Sequence, residues 1–168
     1  MNAAFHPEHW TDFFVAQAGA TAALAGLVIV AISINLKTIV EGRLLSGRAA
    51  ETVVMLAGVL LLSTLVLVPG QGIAMLGIEI LVLGLVGAAA HGLILFRARL
   101  YHHDQEARWL RVVLALGSVL PLLLAGPSLL LGPAGWLAGG LYWLVPGVVF
   151  GLIGGLLNSW VLLVEILR

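Results

Sequence analysis

Five long apolar stretches, separated by short segments of contrasting charge, limit what this chain can fold into. The stretches cover residues 13–36, 50–68, 72–96, 110–131 and 145–167, with approximate ends. A transmembrane helix needs about 20 mostly apolar residues to cross a hydrocarbon core of about 30 Å. Because backbone polar groups cannot stay unpaired in lipid, each stretch is expected to be an α-helix. The sequence therefore predicts an all-α, polytopic integral membrane protein with five transmembrane helices in a single domain, residues 1–168.

The composition agrees with this fold class and excludes several function classes. Hydrophobic residues make up 61% of the chain and charged residues 10%, which leaves too little polar surface for a separate soluble domain. The formal net charge is zero, so no overall field attracts nucleic acid, and we expect no nucleic-acid partner. Cysteine is absent, and the common hydrolase and nucleotide-binding motifs are missing. We therefore predict no enzymatic activity, no cofactor and no bound metal.

The basic residues orient the predicted helices. The eight Lys and Arg residues form two clusters and a C-terminal residue: Lys37, Arg43 and Arg48; Arg97, Arg99, Arg108 and Arg111; and Arg168. The two alternate loops, 69–72 and 132–144, carry no charge. The positive-inside rule places the basic loops and the C-terminus in the cytoplasm and the N-terminus outside. We expect a multi-pass protein of the plasma (inner) membrane, a lipid bilayer partner, and contact between anionic lipids and the cytoplasmic basic loops.

One apolar and aromatic segment, residues 134–144, is too short to span a membrane. It can lie in the membrane interface, enter the membrane as a re-entrant segment, or extend the fifth helix outward past Pro146. We favour the interfacial placement, which suits its aromatic side chains.

The first helix carries different side chains on two opposite faces. Helix positions advance by about 100° per residue. One stripe therefore consists of Gln17, Thr21, Leu24, Val28 and Asn35, and the opposite face carries the small residues Gly19, Ala23 and Gly26. The polar residues of the stripe can simply bond to water and to their own backbone. As a functional set, the stripe would line a narrow aqueous path around an oligomer axis, with its two aliphatic residues as a hydrophobic constriction.

Two further helices carry small residues at intervals of four. These residues are Gly84, Ala88 and Gly92 in the third helix, and Gly147, Gly151 and Gly155 in the fifth. Small residues allow helix backbones to approach closely in lipid, where van der Waals contact replaces the hydrophobic effect as the attraction between helices. Three such faces exceed what one small bundle requires. The sequence therefore predicts a homo-oligomer.

Three polar residues at depth are candidates for function. Glu79 lies about 10 Å into the membrane if its helix begins at Gly72, but at the outer interface if the helix begins at Ile80. His91 is typical of a hydrogen-bonded packing residue, or alternatively of a step in a proton path. Asn158 is typical of a bond between helices, or alternatively of a contact to an ion or substrate.

The two polar clusters outside the helices are interpreted as solvated surface residues. His6, Glu8 and His9 precede the first helix, and His102, His103, Asp104 and Glu106 lie in the second basic loop. Both sets have metal-ligand residue types, but neither has a second cluster to complete a site. The acidic residues Glu41, Glu51 and Glu165 near inner helix ends are interpreted as members of local ion pairs.

These features together predict a homo-oligomeric membrane channel or passive conduit, for monovalent cations or protons. The first helix would line the path, and Glu79 would lie near the outer mouth, where an acidic ring favours cations. A non-catalytic accessory or scaffold protein, which binds another membrane protein or lipid, explains the same residues. A small dimeric transporter is the third alternative, for which Asn158 and Glu79 would have to form a midplane site.

Overall fold

A computed structural model describes residues 3–101, 108–135 and 139–166, and within these ranges the chain is helical and without strands. The α-helices are Thr11–Ile34 (α1), Leu36–Glu41 (α2), Arg43–Val66 (α3), Ile73–Tyr101 (α4), Arg108–Leu131 (α5) and Leu144–Ile166 (α6). Five of them, all except the short α2, are long and apolar enough to cross a membrane. The all-helical prediction is confirmed, and the chain has the helices of a multi-pass membrane protein.

The helices extend beyond the predicted apolar stretches at the basic end of the bundle. Most of the predicted loop 37–49 is helical, since α2 ends at Glu41 and α3 already begins at Arg43. Between them Gly42 has an extended backbone (φ −89°, ψ 100°), which separates the two helices. Lys, Arg and Glu are good helix formers, so a helix can continue past the membrane boundary that hydropathy marks.

Four helices form the body of the protein, and α1 lies at its edge. The helices α3, α4, α5 and α6 pack against one another, whereas α1 packs chiefly against α3. Of the most apolar window of α1, 6% is buried, compared with 56% for α5. In a membrane the exposed apolar side chains of α1 are therefore in contact with lipid or with another protein.

The main core lies at the end where α1, α4 and α6 begin, which we call the outer end after the predicted topology. Phe14, Ile80 and Leu141 are fully buried there, in contact with the ends of α3 and α5. Trp10 donates a hydrogen bond from Nε1 to the carbonyl of Ala3 at 2.9 Å, which closes the N-terminal turn over this end.

The described part of segment 134–144 belongs to this outer end. Gly140–Trp143 is a 3-10 turn that leads directly into α6. Gly140 has φ 50°, and an added Cβ would lie 2.1 Å from the Ala4 carbonyl oxygen, so only glycine fits. Its N–H donates to Ser128 Oγ at 2.7 Å. Residues 140–143 therefore continue α6 outward past Pro146, whereas their placement in the membrane interface stays a prediction; residues 136–138 lie outside the described ranges.

The predicted glycine face of α6 packs inside the bundle, against α3 and α5. An added Cβ would lie 2.8 Å from Leu122 at Gly147, 2.6 Å from Val59 at Gly151 and 2.6 Å from Leu56 at Gly155. On a helix of 3.6 residues per turn, residues spaced four apart are rotated by about 40° from one to the next. The row therefore faces α5 at its outer end and α3 further along.

The predicted small face of α4 is only partly a packing face. At Gly84 an added Cβ would lie 3.0 Å from Leu123 of α5, but at Gly92 no atom lies within 4 Å, and Ala88 is half-buried. Among the described residues Gly92 therefore packs against no other helix, because the row rotates away from α5, and its assignment to helix packing stays a prediction for contacts between chains. Gly77, which the spacing of four did not select, lies against Gly126 of α5, since a spacing of seven returns to nearly the same face.

Candidate functional site

The outer half of the α1 stripe faces the bundle. Thr21 is fully buried and Gln17 is half-buried, one helical turn apart. Among the described residues, Thr21 Oγ1 and Gln17 Oε1 have no hydrogen-bond partner, although both atoms are buried. Unpaired buried oxygens are costly, so these two acceptors mark the seam between α1 and α3 as a polar place in the outer half.

The inner half of the stripe lines a groove. Leu24, Val28 and Asn35 form one wall of an apolar groove of about 280 Å³, whose other wall is α6. Asn35 Nδ2 donates to the carbonyl of Ala31 at 2.9 Å, within its own helix turn. The outer half of the stripe is therefore buried against the bundle, and its inner half lines this groove.

The small face of α1 points away from the bundle. Gly19, Ala22, Ala23 and Gly26 are all exposed. A Cβ added to Gly19 or to Gly26 would meet no atom within 4 Å. Among the described residues no atom fills the space beside these two glycines, in contrast to the glycines of α6.

Glu79 is held by the loop between α3 and α4. It lies in the second turn of α4, about 9 Å along the helix from Ile73, and is half-buried. Its Oε2 accepts a hydrogen bond from Nε2 of Gln71, a residue of that loop. The carboxylate is therefore engaged at the outer end of the bundle. Because α4 begins at Ile73 and not at Ile80, the helix start is the one that the intramembrane alternative requires, and the depth of Glu79 in the membrane stays a prediction.

His91 lies among the four packed helices. It is 5% exposed, and its Nδ1 donates a hydrogen bond to the carbonyl of Gly87 at 2.9 Å. Nε2 is buried and has no hydrogen-bond partner among the described residues. The ring borders a cavity of about 220 Å³ whose walls include Gly58 and Gly151.

Asn158 faces α3 from α6. It is 3% exposed, and its Nδ2 lies 4.0 Å from Met55 Sδ, at the outer limit for a bond to sulfur. This placement agrees with the interpretation of Asn158 as a contact between helices. No hydrogen bond among the described residues joins Asn158, His91 and Glu79, so the structure does not unite them in one site.

A buried ion pair at the basic end of the bundle joins two helices, α3 and α5, and was not predicted from the sequence. Arg111 Nε of α5 donates to Glu51 Oε2 of α3 at 2.9 Å, and the Glu51 side chain is fully buried. Glu51 does form an ion pair at this end, but with a residue of another helix, 60 positions away in sequence. The sequence does carry a signal for this pair. Each residue is the second of its predicted apolar stretch, both lie at the same predicted end of the bundle, and their charges are opposite.

No metal site emerges among the described residues, which contain no group of three His, Asp or Glu side chains in reach of one ion. His6 Nδ1 and Glu8 Oε1 lie 2.8 Å apart as an exposed pair. The predicted cluster His102, His103, Asp104 and Glu106 lies outside the described residues, as does Arg168.

Comparisons with known proteins add no functional information for this chain. No protein-family model matches it, and searches of the curated proteins and of the solved structures also found no match.

Proposed function

We propose that this protein is a non-catalytic accessory protein of the plasma membrane, which binds another transmembrane helix through the small-residue face of α1. The carrying observation is the open space beside Gly19 and Gly26, where an added Cβ would meet no atom within 4 Å. Beside the glycines of α6, side chains of α3 and α5 occupy the corresponding space.

The physical chemistry of helices in lipid supports this proposal. Lipid tails are as apolar as leucine, so close backbone contact is what favours association, and small residues permit that contact. Glycine in a helix costs about 0.5–1 kcal/mol relative to alanine, and an exposed Gly19 or Gly26 recovers none of this cost within the protomer. A partner helix on this face would recover it. A second copy of α1 offers the same face, so the predicted homo-oligomer is one form of this association.

The test compares two leucine substitutions at open glycines. Gly26→Leu fills the α1 face, and Gly92→Leu is the matched control, because a Cβ added to Gly92 also meets no atom within 4 Å. Tagged protein is purified from its native membrane in mild detergent, and associated polypeptides are counted against the chain. Self-association is measured by disulfide cross-linking of Ala22→Cys, since the chain has no other cysteine.

We expect the unmodified chain and Gly92→Leu to retain a stoichiometric partner or a second copy, and Gly26→Leu to lose it. A protein that is monomeric and free of partners in its native membrane would contradict the proposal. So would association that survives Gly26→Leu.

A passive conduit for monovalent cations or protons is the second candidate, and the unsatisfied oxygens of Gln17 and Thr21 favour it. The path would follow the seam between α1 and α3 within one protomer. Purified protein in liposomes should then pass these ions, Thr21→Val should reduce the flux, and Glu79→Gln should alter its selectivity. Absence of flux under every gradient and voltage would exclude the conduit.

A further inference from the structure

The cavity beside His91 lies near the middle of the membrane depth. The apolar span of α4 is Ile73–Arg97, and the cavity lining on this helix runs from Leu83 to His91. At 1.5 Å per residue, the lining begins about 15 Å from the outer end of the span and stops about 9 Å from its inner end. The middle of a bilayer holds no water, so an occupant of this cavity must dissolve in hydrocarbon.

The cavity reaches the surface of the bundle between α3 and α4. Its walls include Leu61 of α3 and Val86 of α4, which are 52% and 61% exposed, whereas Leu122 of α5 and Gly151 of α6 are buried at its back. Gly58 of α3 also lines it, and an added Cβ there would meet no atom within 4 Å. A molecule dissolved in the membrane can therefore enter from the side, without passing through water.

Two hydrogen-bonding side chains, His91 and Ser118, line this cavity, and its other side chains are apolar. In an uncharged imidazole whose Nδ1 donates, as it does here to Gly87, Nε2 is an acceptor. Ser118 donates its hydroxyl proton to the carbonyl of Ala115 at 2.9 Å, so its oxygen can still accept. A Cβ added to Gly87 would lie 3.5 Å from Val119, so Ser118 and His91 lie at similar depths. The cavity therefore offers two acceptors to a ligand with two donors.

The size of the cavity limits its occupant to a single substituted ring. An engineered apolar cavity of about 150 Å³ binds benzene. The volume here is about 220 Å³, which leaves room for small substituents on such a ring but not for a porphyrin or a sterol. Met55 is also in the lining, and methionine sulfur makes favourable contacts with aromatic rings.

We propose that the cavity binds the ring of a hydroquinone from the membrane, with one hydroxyl donating to His91 Nε2 and the other to Ser118 Oγ. A hydroquinone is soluble in hydrocarbon and carries two donors on one ring. The corresponding quinone has two carbonyl oxygens instead and can only accept, so the site prefers the reduced form. A tail on the ring would leave through the opening between α3 and α4. This inference is independent of the proposed partner face, which lies on α1.

The first experiment compares three ring compounds of similar shape. Methylhydroquinone, methylbenzoquinone and 1,2,4-trimethylbenzene differ in the groups that can form hydrogen bonds. Binding to the protein in nanodiscs is measured by isothermal titration calorimetry without oxygen, and empty nanodiscs correct for solution in the lipid. The chain has no cysteine thiol to react with the quinone. We expect methylhydroquinone to bind about 30-fold more tightly than the other two, as two hydrogen bonds of ordinary net strength allow. Equal affinities, or no binding beyond that to empty nanodiscs, overturn the proposal.

The second experiment removes each acceptor. We expect His91→Leu and Ser118→Ala each to weaken the binding of methylhydroquinone by about fivefold, the effect of one hydrogen bond. The affinity for 1,2,4-trimethylbenzene should stay unchanged, because it forms no such bond. An unchanged affinity for methylhydroquinone, or an equal loss of both ligands, overturns the assigned contacts.

The third experiment fills the cavity and leaves both acceptors in place. Gly58→Leu projects a side chain into it, and Gly92→Leu is the matched control, because a Cβ added to either glycine meets no atom within 4 Å and Gly92 does not line the cavity. We expect Gly58→Leu to abolish binding of methylhydroquinone and Gly92→Leu to bind it as the unmodified protein does. Retained binding in Gly58→Leu, or equal loss in both variants, overturns the placement of the ring in this cavity.

Discussion

Gly126→Ala should destabilise the bundle, because the added methyl group would push apart α4 and α5, which are in close contact at this point. An added Cβ at Gly126 would lie 2.7 Å from Leu81 Cβ and 2.9 Å from the Gly77 carbonyl oxygen. Carbon atoms prefer separations of about 3.5–4.0 Å, so α4 and α5 would have to separate locally. Neither contact is the end of a flexible side chain. We therefore expect the overpacking cost to lie near the upper end of the range of about 1–3 kcal/mol.

The control variant, Gly92→Ala, cancels the intrinsic preference of a helix for alanine over glycine. Alanine stabilises a helix by about 0.5–1 kcal/mol relative to glycine, and this gain applies equally to Gly92→Ala, where the added Cβ meets open space. The difference between the two variants is therefore the steric cost alone, about 2–3 kcal/mol. Gly77→Ala should lie between them, because its nearest contacts are at 3.1 Å.

The assay is reversible unfolding by SDS in mixed micelles, followed by far-ultraviolet circular dichroism. We expect the order of stability Gly92→Ala, then Gly77→Ala, then Gly126→Ala. If Gly126→Ala is as stable as Gly92→Ala, the close contact of α4 with α5 is wrong, and the packing argument for the other glycines loses its basis.

Two further substitutions test the polar contacts with the same unfolding assay. Glu51→Leu should cost about 3–5 kcal/mol, because Arg111 is left without its partner, whereas Glu51→Leu combined with Arg111→Met should recover most of that stability; a double variant no better than the single one would contradict this explanation. Ser128→Ala should cost about 1–3 kcal/mol by leaving the buried N–H of Gly140 unpaired, and an unchanged midpoint would show that this bond is dispensable.

The sequence predicts the number and type of the long helices because lipid imposes a simple rule on hydropathy and length. It predicts lateral packing less well, as α4 illustrates. Gly92 completes a spacing of four and yet lies in open space, whereas Gly77 packs against α5. A spacing pattern identifies which residues share a face, but not which neighbour that face meets. The partner of Glu51 was missed because its signal is not local: it lies in the matching positions and opposite charges of two apolar stretches that are 60 residues apart.

The orientation of α1 makes the accessory and conduit proposals separable by experiment. Its polar stripe faces the bundle, and its small face points outward. A conduit would therefore run inside each protomer, whereas association would use the opposite side of the same helix. Gly26→Leu should abolish association and leave any flux unchanged, and Thr21→Val should do the reverse.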